Sequence, residues 1–186
     1  AMAAILARCP ERRQTLLFSA TWPDHVRRLS GRFQQDPVSV TVEDPPASAT
    51  AAIEEVFYEV PGDQRQEALT GLLSLRQPAA CLIFCATKQQ CDEVTQALGR
   101  QGFAALALHG DMDQKERYQV LILFANQSCP ILVATDVAAR GLDIDDLPLV
   151  VNMEPARSPE THTHRIGRTG RAGKDGLAVT FFSPAS

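Results

Sequence analysis

No run of apolar residues in this chain approaches the ~20 needed to cross a bilayer. The apolar opening Ala-Met-Ala-Ala-Ile-Leu is soon broken by Arg8, Glu11, Arg12 and Arg13. Lacking a basic start and a long apolar centre, it does not read as a secretory signal. No initiator methionine opens it, and the expectation is a chain cut from something longer. There is no C-x-x-C pair either. Cys9, Cys81, Cys85, Cys91 and Cys129 are odd in number and irregular in spacing, which speaks against a zinc site and against a disulfide framework. They are expected to be small, semi-apolar residues of a reducing, cytoplasmic protein. An excess of positive charge is missing too: the formal charge is -4. Nucleic acid cannot then be held by bulk charge, and any anion must be held locally.

What is present is a rhythm of short apolar runs alternating with amphipathic helical patterns. With 186 residues, 45% hydrophobic and 22% charged, the chain has enough for one compact domain and an appendage. Strands are expected at 80–84, 103–108, 131–134, 149–152 and 177–182, with an extra one at 53–60. Helices are expected over 64–75, 88–100, 114–126 and 159–166. Apolar strands separated by helices imply a parallel sheet covered on both faces, a three-layer α/β domain spanning 53–186. Residues 1–42 hold a strand pattern at 15–18 and a helical one at 23–33, too little to bury their own apolar faces. They are expected to be the remnant of a preceding domain. The Pro- and Ala-rich stretch 43–52, without periodicity, reads as a linker.

In an open parallel sheet, ligands collect at the carboxyl ends of the strands. That singles out four loops, 85–88, 109–113, 135–143 and 154–159. The strongest local signal lies just beyond them. From Arg157 to Lys174, five basic residues face Glu160 alone, a net of about +4. Within it stands His164-Arg165-Ile166-Gly167-Arg168-Thr169-Gly170-Arg171-Ala172-Gly173. Gly167, Gly170 and Gly173 let the backbone approach a ligand closely. Arg168 and Arg171, three apart, can converge on one anion, as arginine fingers do on the γ-phosphate of a nucleotide. A solvated basic turn is the plain alternative. Three glycines, three arginines and a histidine in ten residues weigh against it. Thr135-Asp136, directly after a strand, has a plain alternative of its own as a helix cap.

That segment resembles the last helicase motif of DEAD-box ATP-dependent RNA helicases. Ala134-Thr135-Asp136-Val137-Ala138-Ala139-Arg140-Gly141-Leu142-Asp143-Ile144 is similar to the family's motif V, and Leu82-Ile83-Phe84-Cys85-Ala86-Thr87-Lys88 to motif IV. Gln114 and Arg117 after His109-Gly110-Asp111 resemble its Q-x-x-R element, and Ser19-Ala20-Thr21 its motif III. Among its subgroups the bacterial DbpA type, which acts on ribosomal RNA, is the most similar. The resemblance implies a RecA-like parallel sheet flanked by helices, the second of two such domains, with 1–42 left over from the first. It implies that Arg168 and Arg171 are the fingers on ATP, that Gly141 and Asp143 contact the nucleotide (Asp143 at the ribose), and that His164 couples this site to Ser19 and Thr21 of the first domain. Thr87, Gln114, Arg117, Thr135 and Arg140 would hold the sugar-phosphate backbone of one RNA strand.

The resemblance also implies ATP with Mg2+, bound mainly by the first RecA-like domain. A glycine-rich phosphate cradle ending Gly-Lys-Ser/Thr is not found here, nor is Asp-Glu-Ala-Asp. The chain has the fingers without the cradle and is expected to be inactive alone. Expected partners are RNA, the first RecA-like domain and no membrane, with residues 1–42 able to dock on or swap with another copy. Two rivals stay open at this point: a scaffold that kept the fold and lost the chemistry, and a related enzyme acting on DNA.

Overall fold

The computed structural model describes residues 5–10, 12–19, 22, 24–41, 53–142, 144–170 and 175–183. The chain divides into two compact units, Ala1–Asp44 and Pro45–Ser186.

The first unit holds one long helix, α1 (Asp24–Phe33). Ser30 Oγ donates to Gln34 Oε1 at 2.7 Å, and Gln34 Nε2 donates to the Thr15 carbonyl at 2.9 Å. That tie holds residue 15 beside the end of the helix. The strand expected at 15–18 does not form: residues 13–19 have no regular structure, and Leu16 and Phe18 are exposed. The apolar spelling favours a strand, but among the described residues of this unit there is no second strand to pair with. A lone strand leaves its N–H and C=O groups unbonded.

The second unit is a six-stranded sheet with helices on both faces. In chain order its elements are β1 (Ile53–Glu59), a 3-10 turn (Gly62–Gln64), α2 (Arg65–Arg76), β2 (Cys81–Cys85), α3 (Lys88–Arg100), β3 (Ala105–Leu108), α4 (Gln114–Ala125), β4 (Ile131–Thr135), α5 (Asp136–Ala139), β5 (Leu149–Asn152), α6 (Pro159–Ile166) and β6 (Gly176–Phe182). The strand order is β1-β6-β5-β2-β4-β3, every pairing parallel. The period-2 alternation of strand side chains divides the core in two. Ile83, Val133, Val151 and Phe181 pack with Leu69, Leu73, Val94 and Leu98 on one face. Leu82, Phe84, Leu132 and Val150 pack with Val120 and Phe124 on the other. β2, β4 and β5 are buried almost throughout, as continuous apolar strands must be in a doubly covered sheet.

In this unit the expected elements agree with the observed ones to within a residue, except at β3, and the short α5 is not among those expected. β3 starts at Ala105, because residues 101–103 are used in closing α3: Gly102 takes φ +85 and the Phe103 N–H donates back to the Leu98 carbonyl. The linker 43–52 lies outside the described residues. All five cysteines are free thiols, and the four in this unit are buried. Burial pushes the Cys81 thiol up, and contact with Cys91, then burial, pushes Cys85 up, so neither is a thiolate at neutral pH.

The chain order reverses about β2, which lies between β4 and β5, so the loops after these three strands gather at one end of the sheet.

Candidate functional site

The loop after β2 ends at Thr87, which is exposed and N-caps α3: its hydroxyl oxygen accepts from the Gln90 N–H at 3.1 Å. The parallel register sets Cys85 beside Thr135, so Thr87 lies just beyond the end of β4. Thr135 N-caps α5, accepting from the Ala138 N–H at 3.4 Å. The plain reading of Thr135 as a cap is therefore correct, and it leaves the binding reading open. Capping uses a lone pair of the hydroxyl and leaves its O–H free to donate. Two helix N-termini side by side, each carrying a hydroxyl donor, suit anionic oxygens.

α4 brings the next two groups. Asp113 and Glu116 form a capping box at its start, which fixes the first turn and presents Gln114 to solvent. One turn on, Arg117 is half-buried, and its Nη2 donates to the Ala138 carbonyl at 3.4 Å. That contact carries Arg117 across to α5, next to Thr135. Lys88 Nζ meets the Asp111 carboxylate at 2.6 Å, tying the loop after β2 to the loop after β3. The Lys88 ammonium holds the Asp111 carboxyl below the usual carboxylate range. Arg140 follows α5 and is exposed, and Gly141 turns the chain with φ +72.

α6 begins with Ser158 as N-cap and Pro159 in the first turn. His164 on this helix is exposed. Together with Phe84, Asp136, Ala139, Arg140, Thr161, Arg165 and Arg168 it lines a shallow cleft. Arg168 Nη1 donates to the Leu142 carbonyl at 2.8 Å and lies 3.3 Å from Asp145 Oδ1. Gly170, at φ +65, has its Cα against Ile53 of β1, where an added Cβ would overlap that side chain. The structure thus brings Thr87, Arg117 and Thr135 together around the β2 and β4 ends, and Arg140, His164 and Arg168 around one cleft. Ser19 lies in the first unit, exposed. Thr21, Asp143 and Arg171 lie outside the described residues.

One reading of charge needs correcting. Arg165 does not belong to the local excess of positive charge. Its side chain is 4% exposed and forks onto Asp136, Nε to Oδ1 at 2.6 Å and Nη2 to Oδ2 at 2.9 Å. Nη1 donates to the Glu154 carbonyl at 3.1 Å and to Asn152 Oδ1 at 3.3 Å, and the guanidinium lies over the Phe84 ring. Asn152 in turn donates to Thr180 Oγ1 at 2.9 Å, wholly buried. This network ties α6 to the start of α5 and to β5. Neither Arg165 nor Asp136 was recognised as a structural pair from sequence. The signal was the helical spacing Thr161, Arg165, Arg168, which turns Arg165 inward while His164 faces out. His162 is three-quarters buried: it bonds Glu55 at 2.8 Å and stacks on Phe57 of β1.

Residues 64–173 match the helicase conserved C-terminal domain family. The chain belongs to that family. It is 53% identical over 175 residues to the ATP-dependent RNA helicase DbpA of Escherichia coli strain K12, a match covering 94% of this chain and 38% of that protein. That identity agrees with the DbpA-type resemblance. Among solved structures, a DEAD box protein of the hyperthermophile Methanococcus jannaschii superposes with a TM-score of 0.68 at 38% identity, over 98% of this chain and 49% of that one. Dbp5 of S. cerevisiae, bound to RNA and ADP BeF3, superposes with a TM-score of 0.77 at 29% identity, over 95% of this chain and 46% of that one. The six-stranded parallel sheet is the RecA-like fold of this helicase domain. The chain spans well under half the length of the DbpA it matches.

Proposed function

We propose that the full-length protein is an ATP-dependent RNA helicase of the DEAD-box family that locally opens structured RNA, with ribosomal RNA as its substrate and the cytoplasm as its location. The observation that carries this reading is the side-by-side arrangement of two groups of residues. Thr87, Thr135 and Arg117 gather at the β2 and β4 ends, with the Gln114 amide exposed one turn before Arg117 and Arg140 exposed at the end of α5, and a cleft with His164 and Arg168 lies directly beyond α5. The first group suits the phosphates of one strand, since hydroxyls and single arginines position a backbone without reading bases. Contacts to 2′-hydroxyls would favour RNA over DNA. The second suits the γ-phosphate of ATP, with Arg168 and Arg171 as fingers and Gly141 and Asp143 toward the nucleoside.

The cleft suits a phosphate group: His164 is exposed, and Arg168 retains N–H donors beyond the one given to Leu142 and Asp145. Among the described residues no group of three or more His, Cys, Asp or Glu is placed to hold a metal ion. In this reading Mg2+ sits with the phosphate cradle of a first RecA-like domain, where it would neutralise phosphate charge. Residues 1–42 are the end of that domain in this reading, 43–52 the linker, and 53–186 the second domain, with His164 coupling the site to Ser19 and Thr21 of the first. Among the described residues no helix is long and apolar enough to cross a membrane.

ATP turnover by the full-length protein with Mg2+, without nucleic acid and with single-stranded RNA or DNA, tests the proposal. Strong activation by RNA alone is expected; indifference to RNA would refute it. Within the RNA groove, Arg117→Ala is expected to weaken RNA binding and to flatten the slope of log affinity against log salt by about one unit, the signature of one lost phosphate contact. Titrations at several salt concentrations read this directly, and an unchanged slope would remove Arg117 from the groove.

A further inference from the structure

We propose that Asp145 is a positioning residue for this site: its carboxylate holds the Arg168 guanidinium back against the 142–147 loop and restrains nucleotide-driven closure until RNA is bound. The inference rests on the reading of Arg168 as a finger.

The backbone places the two side chains opposite one another. Leu147 N–H donates to the Arg168 carbonyl at 3.0 Å, the Thr169 hydroxyl donates to the Leu147 carbonyl, and Leu147 and Thr169 form an isolated parallel bridge. The loop between Arg140 and Leu147 is shaped by two left-handed residues, Gly141 at φ +72 and Asp146 at φ +62. A non-glycine residue there is uncommon and persists where its surroundings hold it. Here the zipped Leu147 end does so. Asp145 is thereby presented to Arg168, with Oδ1 3.3 Å from Nη1 and the two side chains 29% and 19% exposed. The same Nη1 gives its better bond, 2.8 Å, to the Leu142 carbonyl.

A guanidinium so placed has a counter-ion before any nucleotide arrives. To reach a γ-phosphate across a cleft the guanidinium must swing away from that carboxylate, so the Asp145 charge opposes the movement. The contact is single rather than forked, and partly open to water. Pairs of this kind shift an equilibrium by about two- to fivefold. That is too weak to block a nucleotide that closes the cleft together with RNA, and enough to lower the population that closes on nucleotide alone.

The experiment uses the full-length protein with Asp145→Asn, Asp145→Glu, Arg168→Ala and the Asp145→Asn/Arg168→Ala pair. Two readouts are taken: ATP turnover with and without RNA, and affinity for ADP with beryllium fluoride in the absence of RNA. Asp145→Asn is expected to raise RNA-free turnover and tighten analogue binding by about two- to fivefold, with turnover at saturating RNA within about twofold of wild type. Asp145→Glu, which keeps the charge, stays near wild type, and the pair is as inactive as Arg168→Ala. Unchanged or lower RNA-free turnover and analogue affinity in Asp145→Asn, with Arg168→Ala inactive, would overturn the proposal. Full turnover in Arg168→Ala would instead overturn the finger reading itself.

Discussion

Replacing Arg168 by alanine is expected to lower ATP turnover of the full-length protein by about 10³- to 10⁵-fold, the range found for loss of an arginine finger, while the melting temperature of this chain shifts by no more than a few degrees. The two halves of the prediction have separate causes. In the unliganded domain Arg168 makes one good hydrogen bond, to a backbone carbonyl, and one partly exposed ion pair. Its removal exposes the Leu142 carbonyl and Asp145 to water that can solvate both, so the folded state loses little. In the transition state of phosphoryl transfer, charge spreads over the γ-phosphate oxygens in a site closed to water. A missing guanidinium there is not replaced by solvent. Single-turnover hydrolysis and thermal unfolding of the same variant separate the two effects. A large fall in melting temperature with proportionate loss of turnover would make Arg168 a structural arginine.

The elements of the sheet could be read from spelling because they are buried on both faces. Cys81–Cys85, Ile131–Thr135 and Leu149–Asn152 have no polar side to present, so the apolar run and the strand nearly coincide. Parallel order then requires helices between them, and the loops at the carboxyl ends follow from topology alone. Thr87 and Thr135 stand in such loops; the roles proposed for them and for Arg117 come from the resemblance to helicase motifs, and that for Arg168 from the Gly- and Arg-rich segment beyond α6. The strand expected at 15–18 failed because strandness is a property of pairs, and its partner is not among the described residues of its unit. Charge was the least legible feature. Counting basic residues from 157 to 174 treats all arginines alike, whereas α6 turns Arg165 into the protein and leaves His164 outside it. Which acid an arginine meets, Asp136 or Asp145, depends on contacts 29 and 23 residues distant, and no local pattern encodes them.

Arg165→Ala should show the opposite signature to Arg168→Ala, although the two residues are three apart on the same segment. The Arg165 side chain is 4% exposed and makes four kinds of contact: a fork onto Asp136, the Glu154 carbonyl, Asn152, and the face of Phe84. Truncation leaves Asn152 Oδ1, in a residue with no exposed surface, without that donor, and Asp136 without its cation. Breaking a buried pair on one side costs about 3–5 kcal/mol. In a unit of this size that is about 10 °C or more in melting temperature. Asp136→Ala should cost at least as much, because the charge it leaves unpaired is the more deeply buried one. Turnover falls as well, since α6 also carries His164 and leads into Arg168, and a helix freed from α5 and β5 no longer aims them. Urea unfolding of the single variants and of Arg165→Ala/Asp136→Ala measures the coupling. If the pair acts as a unit, the double variant is less destabilised than the sum of the singles by about 1 kcal/mol or more. Additive costs would mean that the carbonyl and Phe84 contacts, and not the ion pair, hold α6 in place.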